Sequence, residues 1–288
     1  MRAKRTWPVA LTVAGSDSGG GAGVQADLKT FAALGVHGAS GIACLTAQNP
    51  RRVLAIRPCP PQLLRQQIEA VFEELPPRAV KTGMLFSPAN LGVVADFFAA
   101  RTARGRIPLV VDPVMVSTSG TRLLAPAAEK VLREKLLPLA SLATPNLDEA
   151  EVLAEQKIRE PEDLRAAARA IYGRFGCAVL AKGGHLRNCG EALDIFWDGE
   201  TELLLSAPFV RGVATHGTGC TYSAAICAAL ALGYDLPHAA VLGKHFITAA
   251  IAGSYKIGAH FALAQIEVTE PGARDKNRRG WSSKGTTP

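Results

Sequence analysis

Short apolar runs rich in β-branched residues alternate with longer stretches whose apolar residues recur at helical spacing, from Val9 to about Ser254. Few folds accept that order. Strands separated by helices pair in parallel, and the helices then cover both faces of the sheet. The predicted strands are Val9–Ala14, Ser40–Ala47, Ala79–Thr82, Leu109–Val111, Leu142–Thr144 and Ala178–Lys182. The predicted helices are Gly23–Leu34, Pro61–Leu75, Pro88–Ala100, Pro126–Leu137 and Pro161–Phe175, and proline opens all but the first. Leu193–Trp197 and Leu203–Ser206 flank Asp198-Gly199, a two-residue hairpin signal, and helices over Gly219–Leu232 and Pro237–Ser254 follow. The expected fold class is α/β: a three-layer α/β/α arrangement around a mostly parallel central sheet. Residues 1–268 read as a single domain and residues 269–288 as a basic tail.

Hydrophobic residues make up 48% of the 288 and charged residues 20%, enough apolar material for a core. No uninterrupted apolar run reaches the roughly 18 residues of a membrane helix, and the basic N-terminus leads into a strand rather than a signal peptide. The net charge of +7 suggests nucleic acid until it is located. Arg2, Lys4 and Arg5 supply three charges, and the excess of basic over acidic residues after position 268 supplies three more. The body between is nearly neutral, so neither a nucleic-acid nor a membrane partner is expected. The six cysteines include no Cys-x-x-Cys pair, which argues against zinc and fits reduced thiols and a cytoplasmic address.

In open α/β sheets, ligands bind beyond the carboxyl ends of the strands. Polar and glycine-rich clusters lie there: Gly15–Gly23, Thr46–Asn49, Thr82–Met84, Asp112–Met115, Thr144–Glu149 and Lys182–His185. The first lacks the Lys-Ser/Thr ending of a Walker loop. Its Gly21-Ala-Gly-Val-Gln-Ala26 fits a dinucleotide fingerprint, but no acidic residue lies between Leu28 and Ile68 to hold a ribose. With Arg51 and Arg52 available for a 2′-phosphate, an NADP-dependent oxidoreductase remains an alternative. Thr215-His-Gly-Thr-Gly-Cys220 precedes an apolar helix, where free backbone N–H groups form an anion site and the helix field favours a thiolate at Cys220. The competing reading of Cys220 is a small buried apolar residue. Asp112, Asn146 and Glu149 suit Mg²⁺, which takes oxygen ligands, although Glu149 could equally cap the helix starting near Leu147. Lys182, followed by two glycines, can reach nucleotide phosphates or simply be solvated. Asp27 and Gln48 could read a heterocycle; alternatively Asp27 pairs with a surface lysine near Lys29 and Gln48 merely ends a strand.

These motifs, in this order from about Val9 to Gly258, resemble the hydroxymethylpyrimidine/phosphomethylpyrimidine kinases of thiamine biosynthesis, in the ribokinase-like superfamily. They are Ala14-Gly-Ser-Asp-Ser-Gly-Gly-Gly-Ala-Gly-Val-Gln-Ala-Asp-Leu-Lys-Thr-Phe31, Ala47-Gln48-Asn49, Lys81-Thr-Gly-Met-Leu85, Val111-Asp-Pro-Val-Met115, Thr144-Pro-Asn-Leu-Asp-Glu149, Lys182-Gly-Gly-His185 and His216-Gly-Thr-Gly-Cys-Thr221. The resemblance implies ATP-dependent phosphorylation of 4-amino-5-hydroxymethyl-2-methylpyrimidine and then of its monophosphate. It implies Cys220 as the base, where most ribokinase-like enzymes carry Asp, with Gly217, Thr218, Gly219 and Cys220 as the anion hole. Gly15, Asp27, Gln48, Met84 and Val114 fall on the pyrimidine side, and Lys182, Thr215 and Asn146 on the nucleotide side. Asp112 and Glu149 fall on the Mg²⁺ region. Gln48 leans toward the two-step enzyme, because branches restricted to the monophosphate tend to replace it. Pyridoxal, which also bears a hydroxymethyl group, is the alternative acceptor, and a homodimer is implied.

Overall fold

The computed structural model describes residues 6–102, 107–115, 124–184, 186, 190–210, 212–213 and 216–265. Within them one sheet is built from β1 (Val9–Asp17), β2 (His37–Asn49), β3 (Arg52–Pro58), β4 (Ala79–Thr82), β5 (Leu109–Val111), β6 (Leu142–Ala143), β7 (Ala178–Lys182), β8 (Glu191–Trp197) and β9 (Glu202–Pro208). Their spatial order is β3-β2-β1-β4-β5-β6-β7-β8-β9. β2, β1, β4, β5, β6 and β7 run parallel, while β3, β8 and β9 join antiparallel. A separate hairpin pairs β10 (Tyr255–Ile257) with β11 (His260–Ala262). The helices are α1 (Gly23–Ala33), α2 (Pro61–Glu74), α3 (Pro88–Thr102), α4 (Pro126–Val131), α5 (Leu147–Ala154), α6 (Pro161–Phe175), α7 (Thr218–Leu232) and α8 (Leu236–Ala252).

Side-chain alternation divides the core in two. Leu11, Val13, Val80, Val111 and Val179 pack toward α2–α6, whereas Ala10, Ala79, Val110, Leu142 and Leu180 pack toward α1, α7 and α8. From Thr221 to Ala231 every residue of α7 is buried, as a helix apolar on all sides must be. That burial fixes the start of α7 relative to the sheet. β1 lies between β2 and β4, so the chain leaves it in both directions and opens a crevice at the carboxyl ends of β1 and β4.

The strands differ from expectation at the crevice. β1 continues through Gly15 to Asp17 with a register shift after Ala14, and β2 continues to Asn49. Both overrun the parallel sheet because β3 pairs with the end of β2. β3 was not predicted. It is an edge strand without a fully buried residue, so it carries no core-facing alternation. The Asp198-Gly199 turn is longer than two residues: the Asp198 side chain accepts the N–H groups of Glu200 and Thr201 before β9 begins. The helix expected over residues 126–137 gives way to a π turn at Leu132–Leu136 and a 3-10 turn at Leu137–Leu139, because Pro138 has no N–H with which to continue it.

Candidate active site

A cavity of about 980 Å³ occupies the crevice. Gly15, Gln48, Met84 and Val114 line it, as do Gly217, Thr218, Gly219 and Cys220, and so do Asp112, Asn146, Glu149 and Lys182. Positions separated by two hundred residues therefore meet. Thr215, His185 and the tail from 269 lie outside the described residues.

The loop opening α7 occupies the middle. Gly217 has a φ of +86°, and a Cβ there would stand 1.8 Å from the Gly21 carbonyl oxygen. Only glycine fits that approach. Gly23 opens α1 with a φ of +58°, and its N–H faces the Cys220 thiol. The sulfur thus lies at the start of two helices, a setting that favours negative charge. Burial nevertheless pushes the Cys220 thiol up to about 11; Lys81 opposes this, and Asp27 and Asp112 reinforce it. The resting thiol is protonated.

On the other side of the loop, a Cβ on Gly219 would stand 3.4 Å from Lys182 Nζ and 3.8 Å from Asp112 Oδ2. Lys182 Nζ donates to Asp112 Oδ1 at 3.1 Å, and the hydroxyls of Thr144 and Ser223 each donate to the same carboxylate at 3.2 Å. Burial pulls the Lys182 ammonium down, but Asp112 and Glu149 outweigh it and keep the lysine charged. Glu149 completes a capping box on α5. Its Oε2 accepts the Asn146 N–H at 2.9 Å, and Asn146 Oδ1 accepts the Glu149 N–H at 2.9 Å. Its other oxygen accepts the Met115 N–H at 3.0 Å. Burial and the nearby charge of Asp112 push the Glu149 carboxyl up to about 7. The capping alternative is therefore met, and the same side chain also borders the cavity.

Asp27 departs from expectation. It is fully buried, does not border the cavity, and accepts from Lys81 Nζ at 2.8 and 2.9 Å and from Thr12 Oγ1 at 2.6 Å. Both of its oxygens turn to Lys81 and Thr12 beneath the cavity, so it stands in a buried ion pair rather than on the cavity wall. Burial raises its pKa while Lys81 and Thr12 oppose the rise; the ammonium itself, disfavoured by burial, is held charged by Asp27. Lys81 was the missed partner. A lysine inside the four-residue strand Ala79–Thr82 and an aspartate among the apolar residues of α1 are opposite charges on surfaces the pattern buries, and that was the available signal. Also missed were the Asp17–His216 contact and the cluster at the far side of the cavity. There Lys244 Nζ donates to Asp194 Oδ2 at 2.7 Å and the Tyr222 hydroxyl donates to the same oxygen at 3.2 Å. No periodicity marks those contacts.

A cavity, a glycine-rich loop opening α7 and an Asp112–Lys182 cluster along one rim of a mostly parallel sheet are the architecture of the ribokinase-like kinases. The phosphomethylpyrimidine kinase family model matches residues 17–264, and the chain belongs to that family. It is 46% identical over 251 residues to the hydroxymethylpyrimidine/phosphomethylpyrimidine kinase of Synechococcus elongatus, covering 87% of this chain and 94% of the relative. The crystal structure of phosphomethylpyrimidine kinase from Clostridium difficile 630 aligns with a TM-score of 0.74 at 43% identity, covering 85% of this chain and 99% of that one. The Bacillus subtilis pyridoxal kinase, solved as an ADP complex, aligns with a TM-score of 0.81 at 34% identity, covering 90% and 98%. The oxidoreductase alternative falls with this membership. The glycine run is a turn closed on Asp17, whose carboxylate accepts the N–H groups of Gly19, Gly21 and Ala22.

Proposed function

We propose that the chain transfers the γ-phosphoryl group of ATP to the hydroxymethyl oxygen of 4-amino-5-hydroxymethyl-2-methylpyrimidine, and a second one to the resulting monophosphate, in thiamine biosynthesis. The observation that carries this is the position of Cys220, between the acceptor-side residues Gly15, Gln48, Met84 and Val114 and the nucleotide-side residues Asp112, Asn146 and Lys182. The acceptor hydroxyl gives its proton to the Cys220 thiolate while its oxygen attacks the γ-phosphorus. The bond to the bridging oxygen breaks, and ADP leaves. Charge on the transferring group meets the N–H groups of Gly217–Cys220 and the Lys182 ammonium, so catalysis rests on positioning and charge. Met84 and Val114 wall the pyrimidine ring.

Asp112 and Glu149 would hold Mg²⁺. Among the described residues no group of three or more His, Cys, Asp or Glu side chains is arranged to hold a metal ion by itself, so waters and nucleotide phosphates would supply most of the oxygen ligands that such an ion takes. Asp112 and Glu149 beside one lysine leave negative charge to be met, which supports the fit. When bound, the ion would neutralise phosphate charge.

A homodimer is supported by the β2–β3 hairpin, which exposes Leu45 at 59% and Leu54 at 60%. A cytoplasmic address is supported by the free, buried thiols of Cys44, Cys177 and Cys227. Separately, no helix among the described residues is long and apolar enough to cross a membrane. The deciding experiment is a coupled ATP assay on the pyrimidine alcohol, its monophosphate and pyridoxal. The higher TM-score to the pyridoxal kinase favours pyridoxal as a second reading. A kcat/KM for pyridoxal well above that for the pyrimidine would establish it instead.

A further inference from the structure

We propose that His216 is a positioning residue that turns the Gln48 amide so that its NH2 group, not its oxygen, faces the acceptor. This rests on the proposed acceptor pocket and adds how one wall of it reads the ligand.

One ring nitrogen makes two contacts. His216 Nε2 lies 3.0 Å from Asp17 Oδ2 and 3.0 Å from Gln48 Nε2. Asp17 is 3% exposed and accepts the N–H groups of Gly19 at 2.8 Å, Ala22 at 2.9 Å and Gly21 at 3.1 Å. Burial pushes its carboxyl up, but His216 and the Gly19 and Ala22 amides outweigh that and hold it below its ordinary range. An ionised carboxylate has no proton to give, so the hydrogen in the Asp17–His216 contact belongs to Nε2. A nitrogen carrying that hydrogen has no lone pair for a Gln48 N–H. Two N–H groups would oppose each other at 3.0 Å. Turning the amide by 180° leaves its heavy-atom positions unchanged and removes the conflict. Oε1 then shares the ring N–H, and the NH2 group takes the opposite place.

The surroundings leave this turn as the adjustable element. The Gln48 backbone is clamped by Ser18, whose Oγ accepts the Gln48 N–H at 2.8 Å and donates to its carbonyl oxygen at 2.7 Å. The His216 ring packs on Gly21, where a Cβ would stand 3.1 Å from Cδ2. Gln48 borders the cavity, and no other protein group among the described residues engages its side-chain amide. The NH2 group thus offers two N–H donors to a ligand lone pair, such as a heteroaromatic ring nitrogen, and no acceptor for an amino group. Asp17, His216 and Gln48 come from β1, the loop before α7 and the end of β2, so one histidine links the acceptor wall to the anion loop.

The test is calorimetric binding of the pyrimidine alcohol, with nucleotide binding as control, to wild type, Gln48→Ala, Gln48→Glu, His216→Ala, His216→Gln and the Gln48→Ala/His216→Ala double variant. Gln48→Glu keeps the acceptor and removes the donors, and is expected to bind the pyrimidine as poorly as Gln48→Ala, roughly 10-fold weaker than wild type. His216→Ala should weaken binding by a similar factor, His216→Gln should recover most of it, and the double variant should be no worse than the weaker single one. Nucleotide affinity should stay within about twofold throughout. Gln48→Glu binding like wild type, or multiplying losses in the double variant, would overturn the assignment. If His216→Ala does not fold, the Gln48→Glu result decides by itself. A wild-type protein that binds no pyrimidine at all would overturn the functional reading, and this inference with it.

Discussion

Cys220 carries two opposed demands. Burial holds its thiol protonated, and the base of the proposed transfer must be ionised. With its pKa near 11, the reactive fraction grows as pH rises, so log kcat/KM is expected to climb with a slope near one between pH 7 and 10. Cys220→Asp, ionised throughout, should flatten the profile. Cys220→Ala should lower turnover by about two to four orders of magnitude, with the KM for ATP and the thermal midpoint little changed. Wild-type turnover in the alanine variant would remove the thiol from the chemistry. Asp27 belongs to a different class of residue. Removing one partner of a buried ion pair typically costs about 3–5 kcal/mol, so Asp27→Ala should show that loss in urea unfolding, and Asp27→Leu with Lys81→Met should regain much of it. A normal unfolding curve for Asp27→Ala with a raised pyrimidine KM would return the carboxylate to the pocket wall.

At the level of elements, α5 shows how the fold makes its own acid site. Asn146 and Glu149 cap each other, which orients the helix start and presents Glu149 beside Asp112. Asn146→Ala should cost about 1 kcal/mol of stability and raise the KM for ATP, measured by denaturation and initial rates. The core strands and most helices were legible because burial on both faces, or on one stripe, imposes a period that composition records. Pro61 and Pro161 marked helix starts to the residue. β3 was illegible because an edge strand with solvent on its side chains has no such period, and the β10–β11 hairpin for the same reason. The cavity-lining positions Gly217–Cys220, Asp112 and Lys182 were legible as motifs at strand and helix ends. Asp27 was misplaced, because a motif gives position along the chain but not which way a side chain turns. Its partner Lys81 is 54 residues away and becomes a neighbour only through the β1–β4 pairing.

For the molecule as a whole, its buried thiols set the alkaline limit. Burial pushes Cys44 and Cys177 up to about 12 and Cys220 to about 11, against 9.0 for an ordinary thiol. The unfolded chain therefore loses these protons first. Between pH 9 and about 12 it binds fewer protons than the native protein, so stability falls as pH rises through that window. Urea midpoints should drop from pH 8.5 to pH 10.5, and less steeply in Cys44→Ala. Residues 269–288 are expected to be dispensable: a chain ending at 268 should keep its kcat/KM, and loss of activity would give the tail a part in the enzyme.

The meeting of Gly217 with the Gly21 carbonyl has a consequence for how such a chain can change over generations. A methyl group at 217 would need the room the other turn's backbone already fills. The two stretches, almost two hundred positions apart, are therefore free to drift only as a pair, and a library that randomises one while holding the other fixed should return almost nothing but the parent at position 217.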